Sequence, residues 1–184
     1  MRSMNEQREL TRDVEATLIP HGAPYPLKAG DVVTITHRLG GNFTISTGFG
    51  MYRISAADAD ALGEDASEQV DEKAFDENAS APTDEEVRKV LEEVFDPEIP
   101  VNVIDLGLIY DIRIDSLETG GYRVEADLTL TAPGCGMGPV IADDCRQRIL
   151  SMPSVCEAEV EVVWDPPWTQ DMISEKGKME LGMI

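Results

Sequence analysis

Thr131-Ala132-Pro133-Gly134-Cys135-Gly136-Met137-Gly138-Pro139 divides two kinds of periodicity. Ahead of it, Tyr122, Val124, Ala126, Leu128 and Leu130 alternate with Arg123, Glu125, Asp127 and Thr129, as a strand with one buried face does. Behind it, Val140, Ile141, Cys145 and Ile149 fall on one helical stripe. Pro139 suits the first helical turn, where its missing N–H has no partner anyway. The stretch is therefore a strand-to-helix loop with a thiol in it. Gly134 and Gly136 let the backbone bend sharply on either side of Cys135. A thiol near a helix N-terminus feels the positive end of the helix dipole, which predicts a favoured thiolate.

Working outward, Leu108, Tyr110, Ile112 and Ile114 alternate with Ile109, Asp111, Arg113 and Asp115, and Gly120-Gly121 turns the chain back into the next strand. This predicts an antiparallel hairpin with one wet face. Thr83 with Glu86 forms a capping box before Val87, Val90, Leu91 and Val94, so a helix opens this half and ends before Pro97. After the second helix, Cys156, Ala158, Val160, Val162 and Trp164 alternate with Glu157, Glu159 and Glu161 as a third strand. Pro166-Pro167 stops it, Trp168 is a large apolar handle, and Thr169 predicts a short helix from Gln170. Helix, hairpin, helix and strand make a two-layer α/β domain over 83–184, closed by a helical tail.

Residues 11–62 read differently. Thr11 to Ile19 is a strand, Pro20, Pro24 and Pro26 mark a turn, and short strands follow around Val33, Phe43 and Met51. Such spacing predicts a small SH3-like β domain, so the fold class is α+β. Its two histidines, His21 and His37, fit surface or capping roles. Residues 63–82 are acidic and poor in large apolar side chains, as a solvated linker is, with Val70 and Phe75 able to dock on a neighbour.

A formal charge of −21 argues against nucleic acid or an anionic membrane as partner. The polar start, Met1 to Arg12, has no apolar signal core, and three cysteines form no regular framework, which together predict a cytoplasmic protein. Cys145 and Cys156 lie on apolar faces and read as core residues. Cys135 lies on no periodic face and is the candidate functional thiol. One thiolate cannot close a zinc or iron–sulfur site, which ordinarily takes four ligands. The other ligands would come from a second subunit, a client, a small thiol, or nearby carboxylates. Glu98 and Asp105 are the weak candidates, each with local backbone hydrogen bonding as its plainer role.

Asp96-Pro97-Glu98-Ile99-Pro100, Asp105-Leu106-Gly107-Leu108-Ile109 and Thr131-x-x-Gly134-Cys135 together resemble the metal–sulfur cluster biosynthesis (MIP-eighteen-type) domain family over roughly Thr83 to Trp164. The N-terminal β domain and the Trp164-Asp165-Pro166-Pro167-Trp168 close resemble a subgroup that serves the SUF system. The resemblance implies a non-enzymatic factor that assembles iron–sulfur clusters or delivers them to apo-proteins. It implies a transient iron–sulfur cluster or iron at Cys135, with Glu98 and Asp105 lining the region and Asp96, Thr131, Gly134 and Gly136 supporting the loop. It also implies SUF-system assembly proteins and apo iron–sulfur clients as partners. Trp168, Met172 and Met179 are the candidate partner-binding residues, and a homodimer is compatible with them. The alternative is an interaction adaptor without metal binding, like a relative that matures a phenylacetate-degradation oxygenase. That relative's C-terminal cysteine-rich zinc motif has no counterpart here. A thiol enzyme would need a base or cation beside Cys135, whereas the sequence offers only Arg146 and Arg148 on the following helix and a strongly acidic surround, which predicts a raised thiol pKa.

Overall fold

A computed structural model describes residues 6–65, 75–76 and 78–184. The chain divides into two compact units, Met1–Gln69 and Val70–Ile184.

The first unit is one antiparallel sheet of six strands: β1 (Glu6–Glu9), β2 (Val14–Ile19), β3 (Ala23–Leu27), β4 (Val32–Leu39), β5 (Asn42–Thr47) and β6 (Gly50–Ile54). Their order across the sheet is β1-β4-β5-β6-β2-β3. Alternation puts Val33, Ile35, Phe43, Ile45, Tyr52 and Ile54 into one core, closed by a 3₁₀ turn over Ala56–Leu62. The sheet begins at β1, ahead of the expected Thr11 start. The expected turn at Pro24 and Pro26 is instead strand β3, paired with β2. It is the sheet's edge strand, where a proline's missing N–H disrupts no inner ladder. His21 is exposed, and half-buried His37 has Nδ1 3.3 Å from Thr36 Oγ1.

Half of the expected linker, residues 66–74 and 77, lies outside the described residues, Val70 included. Phe75 is described, and its ring lies against Gly121, whose added Cβ would come within 2.8 Å of it. Asp76 N–H donates to Pro153 O at 2.8 Å beside it.

The second unit runs α1 (Asp84–Leu91), β7 (Ile109–Ser116), β8 (Tyr122–Leu128), α2 (Gly138–Leu150), β9 (Val155–Val162) and α3 (Glu175–Glu180). The Thr83–Glu86 capping box forms in both directions. β8 lies centrally, antiparallel to β7 and parallel to β9. Val124, Ala126 and Leu128 face the helical layer and are fully or almost fully buried. Val87 and Leu91 of α1 and Ile141, Cys145 and Ile149 of α2 complete that core. The opposite sheet face is charged. Arg113 there bonds Asp111, Glu125 and Asp127 together, relieving the like charges of Asp111 and Asp127 directly across from each other.

Cys156 corrects the expectation of a core cysteine: it is exposed. Tyr122 pairs with Val155 and Arg123 with Glu157, so Cys156 is the extra residue of a bulge. A bulge turns its residue out of the strand's alternation, and Val155 takes the buried place. Among the described residues no helix is long and apolar enough to cross a membrane.

Candidate functional site

The Cys135 loop hangs between β8 and α2. Gly138 opens α2 against Leu130, where an added Cβ would stand 2.7 Å from Leu130 Cδ1. A Cβ there would force the end of the Leu130 side chain to shift. Cys135 O accepts from Gly138 N–H at 3.3 Å and Cys135 N–H donates to Ala132 O at 3.4 Å. Gly134 carries the turn at φ +81°. Cys135, Thr131 and Gly136 are half-buried and Gly134 is exposed.

The thiolate expected from the helix dipole is not favoured. Burial raises the Cys135 thiol above its ordinary value, and the charges of Asp96 and Glu98 add to the rise. The Met137 N–H bond to sulfur works against them and does not prevail. Arg146 pairs with Asp143 and Arg148 with Glu93. The two cations that a thiol enzyme would need are thus committed to other carboxylates.

Asp96 and Glu98 reach this region through a tight turn. Asp96 is 5% exposed, and its Oδ1 accepts from Glu98 N–H at 2.8 Å and Ile99 N–H at 3.0 Å. Burial raises the Asp96 carboxyl despite those two bonds. The exposed Glu98 carboxyl is raised as well, by its partial desolvation and then by the charge of Asp96. These two acids and Cys135 form an electrostatic neighbourhood of protonation-prone groups.

Asp105 belongs to a different network, and this revises its candidacy beside Glu98. Its carboxylate accepts from Asn102 Nδ2 at 2.7 Å, Ser174 Oγ at 2.6 Å and Lys176 Nζ at 2.8 Å. Burial alone would raise it, but these three bonds outweigh burial and hold it below the ordinary aspartate value. The rest of the Asp105-Leu106-Gly107 motif also serves the C-terminal tail. Leu106 O accepts from Trp168 Nε1 at 2.8 Å. At Gly107, φ +71°, an added Cβ would stand 2.3 Å from Met172 O. Among the described residues, no three His, Cys, Asp or Glu side chains are grouped to hold a metal ion.

Two of the three candidate partner-binding residues are likewise turned inward. Trp168 is half-buried on Leu106, and half-buried Met172 receives the Tyr110 hydroxyl at 3.6 Å from its sulfur. Met179 remains 63% exposed, with Met183 and Ile184 also exposed. Thr169 precedes a 3₁₀ turn, Gln170–Met172, but its side chain makes no cap bond. Ser174 is the side-chain cap that forms, accepting from Gly177 N–H at 3.0 Å ahead of α3. Hydrophobic periodicity does not single out Asn102, Ser174 or Lys176. The signals were there: Asn102 stands three residues before Asp105, and Ser174 opens a short polar helix.

Residues 84–162 match the family described as iron–sulfur cluster assembly protein. The chain is 39% identical over 99 residues to the Fe-S protein maturation auxiliary factor YitW of Bacillus subtilis, covering 54% of this chain and 93% of that protein. This chain belongs to that family. The chain is also similar to the Fe-S protein maturation auxiliary factor SufT of Staphylococcus aureus, 41% identical over 90 residues, covering 49% of this chain and 98% of that one. A solved structure from Bacillus anthracis, titled as a domain of unknown function (DUF59), is 35% identical and covers 54% of this chain and 92% of its own, with a TM-score of 0.46. The family match lies wholly inside the second unit, and it spans all three motifs: the Asp96 turn, the Asp105 segment and the Cys135 loop.

Proposed function

We propose that this chain is an iron–sulfur protein maturation factor whose Cys135 makes labile contact with a cluster, or with iron, as cargo bound for apo-proteins. The observation that carries the reading is the openness of the site. A half-buried thiol stands in a strand-to-helix loop with two carboxylates near it and no closed ligand set around it among the described residues. Such a site cannot retain a cluster alone. The remaining ligands come from a client, an assembly protein or a second copy, so the cargo moves on when they do. The raised thiol reinforces this, because metal must displace its proton on binding, and every unit of elevation weakens the hold near neutral pH. The role is non-enzymatic and cytoplasmic, in company with SUF-system assembly proteins and apo clients. The exposed Met179, Met183 and Ile184 give those partners an adaptable apolar contact.

Anaerobic cluster reconstitution of wild type and Cys135→Ser, with iron and sulfide counts and native mass, tests the reading. Wild type is expected to acquire cluster in an assembly with shared ligands, and the serine protein to lose it while keeping its fold. A Cys135→Ser protein that matures clients in cells as well as wild type would remove the thiol from the mechanism. The adaptor reading would then stand, and removal of the exposed tail end would be the more damaging change.

A further inference from the structure

Beyond the family match, which ends at residue 162, the chain continues as a strap over residues 165–181, and every residue of Asp105-Leu106-Gly107 touches it. We propose that this strap is a positioning element for the Cys135 site, holding in place, through Asp105 and Asn102, the turn that carries Asp96 and Glu98.

The connection is continuous. Ser174 Oγ and Lys176 Nζ grip the two carboxylate oxygens of Asp105, and Ser174 N–H donates to Asp105 O at 2.8 Å. Asp105 in turn is locked to Asn102 in both directions: its carboxylate accepts from Asn102 Nδ2, and its N–H donates to Asn102 Oδ1 at 2.8 Å. Asn102 is 3% exposed and forms an isolated antiparallel bridge with Phe95, the residue before Asp96. Val103 N–H to Val94 O at 2.9 Å closes the same bridge from the other side. The segment between the bridge halves is then shaped by Asp96 accepting from Glu98 and Ile99. A strap that loosens removes two of the three donors to the Asp105 carboxylate, and the paired turns lose their outer clamp. The carboxylates near Cys135 are thereby tied to a segment outside the matched family region. The inference rests on the Cys135 reading for its functional meaning, but its geometry stands apart from any cluster.

The test uses the full chain carrying Ser174→Ala with Lys176→Ala, alongside Lys176→Arg alone, which keeps the cation. Hydrogen exchange is followed at the Glu98 and Ile99 amides, and iodoacetamide labelling of Cys135 is followed at one fixed pH in a Cys156→Ser background. The double variant should exchange about fivefold faster at those two amides, the loss of roughly one hydrogen bond's worth of local stability. Cys135 labelling should rise by a similar factor, while amides of β8 and α2 stay protected. Lys176→Arg should match the parent. Faster exchange confined to the strap, with Glu98 and Ile99 unmoved, overturns the inference, as does an equal acceleration throughout the unit. No cluster enters this measurement, so a Cys135→Ser protein that still matures clients sinks the functional reading separately.

Discussion

Asp96 and Asp105 both lie in the one segment that joins α1 to β7, and both are buried. Their surroundings drive them opposite ways. Among the described residues Asp96 accepts from two backbone amides, and burial wins, raising its carboxyl. Asp105 accepts from an amide side chain, a hydroxyl and an ammonium, and their sum wins over burial, lowering it. One turn therefore keeps a carboxylate uneasy beside a thiol, and the other spends its carboxylate fastening the tail. Position within a motif does not distinguish a site residue from an anchor. The donors that reach it do.

The largest test of this division compares glycines. Gly107→Ala adds a Cβ that would stand 2.3 Å from the Met172 carbonyl oxygen at φ +71°, so the strap must move. Gly134→Ala adds one at φ +81° with nothing within 4 Å, leaving backbone strain alone. Urea unfolding should show a loss of about 3 kcal/mol for the first and about 1 kcal/mol for the second. Equal losses would mean that the Asp105 segment does not depend on the strap seated against it.

Acid titration of stability sharpens the same contrast. Asp105 has a folded-state carboxyl pKa below its unfolded value of roughly 3.9, so its contribution is present above that pH and disappears as pH falls through the folded value. Asp96 and Glu98 are raised in the folded state, so they favour folding at low pH and lose that advantage as pH rises through their folded values. Asp105→Asn should flatten the loss of stability below about pH 4. Asp96→Asn should do the reverse, steepening the net fall on acidification by removing a group that opposed it. Unfolding free energies measured across that range for the two variants decide it, and parallel curves would erase the difference between the turns.

Much of this architecture was readable in the side-chain periods. The capping box at Thr83 and Glu86, the hairpin around Gly120-Gly121 and the helix after Pro139 follow from local rules that tertiary packing leaves intact. Three features did not follow. Cys156 kept the strand's alternation on paper, but a bulge is a property of the pairing between strands and leaves no mark in one strand's pattern. The prolines of β3 look like a turn unless one knows that the strand lies at an edge. The division of labour between Asp96 and Asp105 depends on Ser174 and Lys176, far along the chain, which no local reading brings near. The thiol's elevation was legible in part, since the acidic surround pointed to it while the helix dipole pointed against it. The helix dipole is a local argument, whereas burial and the Asp96 turn are contributed from elsewhere.

The smallest effect asks which donor keeps Asp105 different from Asp96. Lys176 is 60% exposed on its side chain, and an ion pair that open to water is worth roughly 0.5 kcal/mol, less at high salt. Ser174 bonds the carboxylate at 2.6 Å from a half-buried position and also caps α3 by accepting from Gly177 N–H. Ser174→Ala thus removes a charge-assisted bond and a cap together, for about 1.5 kcal/mol. Lys176→Met should therefore unfold within about 0.5 kcal/mol of wild type in 0.15 M salt, and Ser174→Ala clearly below it. If the order reverses, and if the Lys176→Met loss fades as salt is raised, the anchor is held by charge. The contrast between the turns would then be one of nearby cations. If the order holds, the contrast lies in how fully each buried carboxylate is supplied with donors, and the exposed lysine only trims it.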